Sequence, residues 1–339
     1  MSIVAGYDVG GAHLKVARIE DGAVTAVRQI ACPLWQGLDK LDVAFAEAAS
    51  MTRGADNHAV TMTAELCELF PTRRDGVIAL ANHIAAKLGP STRFFLGLKG
   101  FGNAQAAASQ TDSVASANFL ATSKVIAARQ PKSLLIDMGS TTTDIIACDR
   151  PQGLSDAERL QTGELVYTGF TRTPVPSITT RAPLAGQWQG LARDNFASMA
   201  DVRRVLGELP DDVDLHATID GRGKSVAESL MRLARGFGRD GEIRHLATWQ
   251  VSATYIRDEQ VRSIYDGAIQ VLSRPGLEIT SVIAAGIGAP VAHVIANRLG
   301  LSCTTFGELI DAPDKLRLAA TRYVPAVSVA MLAVSRRPL

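Results

Sequence analysis

The sequence carries no excess of charge of either sign: 35 Lys and Arg stand against 34 Asp and Glu in 339 residues. A balance this close supplies no general field for nucleic acid or an anionic membrane, so any anion binding has to be local. Cysteine is scarce and scattered. Cys32, Cys67, Cys148 and Cys303 form no CxxC pair and have no histidine at ligand spacing. That argues against a zinc site, and the expectation is reduced core thiols in a cytoplasmic protein. Long apolar runs are also missing. The most apolar stretch, 279–296, is broken by Gly286, Gly288, Pro290 and His293, and reads as strand, turn and helix rather than a membrane span. The N-terminus has no basic region ahead of an apolar run, so it is expected to be a first strand and not a signal peptide.

What is present is a 47% hydrophobic chain, enough for two lobes with separate cores. Two glycine-rich turns stand out: Asp8-Val-Gly-Gly-Ala-His-Leu-Lys15 and Asp137-Met-Gly-Ser-Thr-Thr-Thr-Asp144. In each, an acidic residue ends a short apolar strand, glycine lets backbone N–H groups approach an anion, and the chain doubles back into a second strand. One such turn is weak evidence. Two with the same grammar, one in each half, predict two similar α/β lobes facing one cleft, with a paired phosphate clamp between them.

Strand patterning is expected at 3–8, 14–20 and 23–30, with Asp21-Gly22 as a hairpin turn, then at 58–63 and 93–98. Helices are expected at 41–51, 75–88 and 113–128. The Pro131-Lys132 step is the candidate boundary, giving a first lobe over 1–130 and a second over 131–310. The region 151–240, punctuated by Pro and Gly and without clean periodicity, is expected to be an insertion forming the substrate side of the cleft. One or two helices follow at 251–273, a buried strand at 279–285, and a helix at 290–299 opened by Pro290. Helical spacing at 315–334 suggests that the C-terminal 311–339 packs back on the first lobe.

This arrangement resembles the two-lobed, duplicated ribonuclease H-like fold of the actin-like superfamily, which includes sugar kinases, chaperone ATPases and the hydantoinase/oxoprolinase group. Asp8, Gly10 and Lys15 reproduce the Asp-x-Gly-x-x-x-x-Lys spacing of the first loop in that superfamily, Asp137, Gly139, Ser140 and Thr141 the second, and Gly286-Ile-Gly288 is similar to the adenosine loop. A closer resemblance spans most of the chain. The strings Pro33-Leu-Trp-Gln-Gly37, Thr61-Met-Thr-Ala-Glu-Leu66, Ser116-Ala-Asn118, Gly163-Glu-Leu-Val-Tyr-Thr-Gly169 and Arg172-Thr-Pro174 resemble the hydantoinase/oxoprolinase-like proteins linked to tetrahydromethanopterin C1 transfer. Ala64 stands where that group usually has Gly. The group includes a methanofuran-biosynthesis enzyme that joins an aminomethylfuran-methyl diphosphate to the phenol oxygen of a glutamylated tyramine. The resemblance therefore implies a transferase with small-molecule diphosphate and phenol-amine substrates, while the charge balance leads to the expectation of no nucleic-acid or membrane partner. It leaves the oligomeric state open, and an ATP-dependent kinase or hydrolase is the alternative.

Displacing diphosphate requires charge stabilisation on the leaving group by backbone donors, a lysine and usually a divalent cation. Asp8 and Asp137 are the candidate Mg²⁺ ligands, or else acids capping their own turns. ATP is a cofactor that the preferred reading does not require. Lys15 is either a phosphate contact or a solvent-facing strand lysine. Gly10, Gly11, Ala12, His13, Gly139, Ser140, Thr141 and Thr142 are the candidate anion cradle, with Gly286 and Gly288 either contacting the ligand or shaping the backbone. Activating the phenol needs a base, for which Glu65 and Asp144 are candidates. Arg172 and Thr173 are either substrate-anion contacts or a loop brace. Trp35, Tyr167 and Trp188 are read as packing aromatics, one of which could stack on a furan or phenol ring.

Overall fold

The computed structural model describes residues 2–334. Its first lobe opens on the expected meander, strands β1 (Ile3–Val9), β2 (His13–Glu20) and β3 (Ala23–Ala31), joined through Asp21-Gly22. Helix α1 (Asp39–Thr52) then leads to β4 (Asn57–Met62), and α2 (Arg73–Leu88) to β5 (Thr92–Phe95) and the short β6 (Phe101–Gly102). The strand expected over 93–98 ends at Phe95, because Gly97 takes φ +59° and opens a single 3₁₀ turn. Helices α3 (Ala104–Ser109), α4 (Thr111–Val114) and α5 (Asn118–Ala127) follow.

The continuous helix expected over 113–128 is broken. Ala115 leaves the helix to bridge Met62 at the end of β4, and Ser116 adopts φ +51°. Asn118 then restarts the chain as α5, its side-chain oxygen accepting from the Phe119 amide at 2.9 Å.

The second lobe repeats the first. Strands β7 (Ser133–Met138), β8 (Thr143–Ala147) and β9 (Leu165–Val166) form the meander, with α6 (Asp156–Thr162) between the last two. A hairpin of β10 (Arg181–Leu184) and β11 (Gln187–Gly190) precedes α7 (Met199–Leu206), α8 (Val226–Gly236) and the single long helix α9 (Leu246–Leu272). Strand β12 (Ser281–Ala285), α10 (Ala289–Leu299) and β13 (Ser302–Thr305) complete the sheet. Helices α11 (Phe306–Leu309), α12 (Asp314–Arg322) and α13 (Val324–Val334) end the described chain.

The duplication is explicit in the strand orders. The sheets run β3-β2-β1-β4-β5-β6 and β9-β8-β7-β12-β13. In each, an antiparallel three-strand meander is followed by two parallel strands. The segment expected to be an irregular insertion has a core of its own. Leu184, Met199, Val202, Leu230, Leu233 and Phe237 pack against Trp249, Ala253 and Ile256 from the first half of α9. Its buried Arg232 is neutralised by Asp201 at 2.9 Å and Asp220 at 3.1 Å, as a buried guanidinium requires.

The last helical stretch is two helices bent by 106°. α13 crosses back to lie on β1, β2 and β4 of the first sheet. Gly6 permits that approach, since a Cβ there would overlap the Ala326 carbonyl. Residues 335–339 of the C-terminal segment lie outside the described residues. Among the described residues no single helix is long and apolar enough to cross a membrane. All four cysteines are free, three of them buried and Cys303 half-buried.

Candidate active-site cleft

The two glycine turns have the same internal geometry. Across β1 and β2, Asp8 stands opposite Lys15, and the Gly10 amide donates to the His13 carbonyl at 3.0 Å. Across β7 and β8, Asp137 stands opposite Asp144, and the Gly139 amide donates to the Thr142 carbonyl at 2.9 Å. One structural device thus appears twice, with an ammonium at the position that the second copy gives to a carboxylate. Both turns line one cavity of about 420 Å³. Among the described residues, the amides of Gly11, Ala12, Ser140 and Thr141 donate no hydrogen bond. Unpaired N–H groups in two turns that both border one cavity are candidate donors to an anion bound there.

A strap braces the second turn from behind. Phe170 donates to the Gly139 carbonyl at 2.9 Å and Arg172 to the Ser140 carbonyl at 2.9 Å. Gly169 makes the contact feasible, because a Cβ there would overlap the Thr141 amide nitrogen. The strap delivers the Arg172 side chain to the cavity, with its guanidinium carbon 5.6 Å from the Trp35 ring centre. Lys15, Arg159 and Arg322 also line the cavity, paired with Asp8, with Asp144 and Asp156, and with Asp212. Arg172 alone of these four has no carboxylate partner among the described residues, which leaves its charge available to a ligand.

The acidic pair sits in a demanding environment. Asp8 is buried; one oxygen accepts from Lys15 at 2.8 Å and the other has no partner among the described residues. Asp137 is pushed up to about 7, first by burial and then by the neighbouring Asp144. Burial opposes the Lys15 ammonium, yet the carboxylates of Asp8 and Asp137 outweigh it and hold its pKa above the ordinary value. Burial likewise raises Asp144, against the pull of Arg159. No group of three or more His, Cys, Asp or Glu suited to a metal occurs among the described residues. A cation here would therefore complete its shell with substrate oxygens and water, as Mg²⁺ commonly does. The unpartnered Asp8 oxygen and the mutual repulsion of the acids suit that ion, but of the two only Asp137 lines the cavity and Asp8 lies buried behind it.

Several expected site residues lie off the cavity. Glu65 is buried behind Ser116, whose hydroxyl donates to it at 2.8 Å, and burial raises its pKa. Thr173 is a brace, its hydroxyl accepting from the Gly169 amide at 2.7 Å. Gly286 and Gly288 fold against the neighbouring strand: a Cβ on Gly286 would overlap the Met138 carbonyl, and the Gly288 amide donates to that carbonyl at 2.9 Å. Only Ile287 of that loop reaches the cavity. Asp144 does line it, but is held by Arg159, which makes it a poor free base.

Other lining or adjacent residues were not singled out from sequence as site residues. Ser116, Asn118, Asp156 and Arg159 line the floor. His216, from a loop between α7 and α8, stacks edge-on to His13 at 4.4 Å between ring centres and lies 5.7 Å from Trp35. The His13–His216 contact has no local sequence signal, since 203 residues separate the two rings.

The hydantoinase/oxoprolinase family model matches residues 56–307. The chain is 31% identical over 245 residues to the (4-{4-[2-(gamma-L-glutamylamino)ethyl]phenoxymethyl}furan-2-yl)methanamine synthase of Methanocaldococcus jannaschii, covering 71% of this chain and 73% of that protein. It is 32% identical over 105 residues to the synthase of the same name from Methanococcus vannielii, covering 30% of this chain and 47% of that one. Among solved structures it is similar to a nucleotide-free acetone carboxylase, with a TM-score of 0.55, 10% identity, and coverage of 88% of this chain and 68% of that one.

Proposed function

The chain belongs to the hydantoinase/oxoprolinase family, and from that premise we propose that it is an ether-forming transferase of methanofuran biosynthesis. In this reading it joins an aminomethylfuran-methyl diphosphate to the phenol oxygen of a glutamylated tyramine or tyrosine and releases diphosphate. The observation that carries the reading is the pair of matched turns, whose residues line one cavity with Lys15 and the unpaired Arg172.

Each feature has work to do in such a displacement. The amides, Lys15 and Arg172 would stabilise charge growing on the departing phosphate oxygens. Asp8 and Asp137 would hold Mg²⁺, which when bound would supply further charge neutralisation at the diphosphate. Trp35 and Tyr167, both on the cavity wall, offer aromatic faces to the furan and phenol rings.

The test is direct. Purified protein is incubated with the furan-methyl diphosphate and glutamyl-tyramine, with and without ATP, and the ether and free diphosphate are followed by mass spectrometry. Ether should form without ATP, stop in excess EDTA and return with Mg²⁺. ATP hydrolysis with no ether would replace this reading with the kinase or hydrolase one.

A further inference from the structure

The floor of the cleft holds a polar chain that neither turn explains. Ser116 sits at the break between α4 and α5 with φ +51°, a conformation costly for any residue but glycine. What the conformation achieves is placement: Ser116 faces the cavity on one side and Glu65 on the other. Its hydroxyl has one proton to give and two lone pairs. The proton goes to Glu65 Oε1 at 2.8 Å, one lone pair receives Arg73 Nη2 at 3.2 Å, and the second is left to the cleft side. Asp156 Oδ2 lies farther off at 3.3 Å, and accepting from the same single proton it is the weaker partner. Behind the hydroxyl, Glu65 is buried, its second oxygen without a partner among the described residues.

Resting on the transferase reading, we propose that Ser116 is a catalytic residue that relays the phenol proton of the acceptor to Glu65. The phenol O–H bond breaks as its proton passes to Ser116 Oγ, and the proton already on Oγ passes to Glu65 Oε1. The phenolate oxygen then bonds to the furan-methyl carbon, and the carbon–oxygen bond to diphosphate breaks with its electron pair leaving on the diphosphate. Glu65 returns its proton through the same hydroxyl to water once the ether departs. This resolves the difficulty that Glu65 has the chemistry of a base and no access to the cleft.

The charged groups around the relay are fixed by their own partners. Arg73, from the start of α2, contacts Glu65 and Asp156 at 3.5 Å each, and Asp156 is held by Arg159 at 2.6 Å. Arg73 keeps Glu65 from being an isolated buried charge, and burial, raising the carboxyl against that pull, makes it a stronger base than a surface glutamate.

The test uses Ser116→Gly, because glycine adopts φ +51° without strain and takes away the hydroxyl together with no more than its one methylene. With glutamyl-tyramine as acceptor, kcat should fall roughly 10²-fold or more, the range for a lost acid–base group, while inorganic diphosphate binding measured by calorimetry stays within twofold. With a ring-fluorinated acceptor whose phenol is already ionised at the assay pH, the loss should shrink to within tenfold, and Glu65→Gln should show the same rescue. Equal losses on both acceptors, or no loss on either, would overturn the relay. Failure of wild-type protein to form ether from either acceptor would instead sink the transferase reading.

Discussion

Lys15 shows how one side chain serves two ends. It lies against a buried Asp8 at 2.8 Å and also faces the cavity, so its removal has a stability cost that the Asp-x-Gly-x-x-x-x-Lys spacing alone does not announce. In Lys15→Ala, Asp8 is left as a buried carboxylate with no cation, which should cost roughly 1–3 kcal/mol in urea unfolding. The same variant should lose about 10²–10³-fold in kcat, the scale of a missing leaving-group donor. Lys15→Arg should restore most of the stability and little of the rate, since a planar fork can still pair with Asp8 but does not reproduce a point charge at the phosphate. A variant with wild-type turnover would remove Lys15 from the chemistry. Both turns and Lys15 are legible in the sequence because their signal is local, eight residues each. Ser116, His216 and Arg159 are not, because their roles exist only through partners in other elements: Glu65, His13 and Asp144.

At the scale of elements, periodicity locates most strands and helices, and fails where a tertiary contact competes with local preference. The 113–128 segment has helical spacing throughout, yet a bridge from Ala115 to β4 outweighs the hydrogen bonds a continuous helix would make there. The 315–334 segment likewise bends by 106° so that α13 can cover the first sheet. That docking depends on Gly6, a residue whose meaning appears only with the helix in place. Gly6→Ala would drive a methyl group into the Ala326 carbonyl and toward the Ala330 side chain at 2.7 Å. Overpacking of this kind should cost about 1–3 kcal/mol, read as a lower urea midpoint. Since β1 carries Asp8 and leads into the first glycine turn, a shift of the strand should also weaken diphosphate binding. Unchanged stability would show that α13 is dispensable to the sheet.

On the scale of the whole molecule, the two lobes meet on both sides of the cleft, through Glu65, Ser116, Arg73 and Asp156 on the floor and through His13, His216, Trp35 and Arg172 at the other side. The second meeting point should respond to acid. Burial, then His216, Lys15 and Arg172, hold His13 down to about 2, and burial lowers His216 as well. An unfolded histidine binds its proton near pH 6.5 and the folded His13 does not, so this term is fully present above that pH. It is lost as the pH falls, by about 1.4 kcal/mol per unit. Asp137 works in the opposite direction: raised to about 7 in the fold, it binds a proton that the unfolded chain releases above pH 3.8, and so favours the folded state toward acid. The wild-type slope therefore conceals two opposed terms, and the informative quantity is a difference between proteins. With EDTA present to keep cations off the acid pair, stability is measured by urea unfolding at pH 7.5 and 5.5 for the wild type and for His13→Gln. Relative to wild type, the variant should gain about 1.4 kcal/mol between the two pH values, because it lacks the group that must charge on unfolding. A constant offset between the two proteins would mean that His13 is protonated as readily in the folded cleft as in water, and that the contact with His216 does not hold the lobes together in its neutral form.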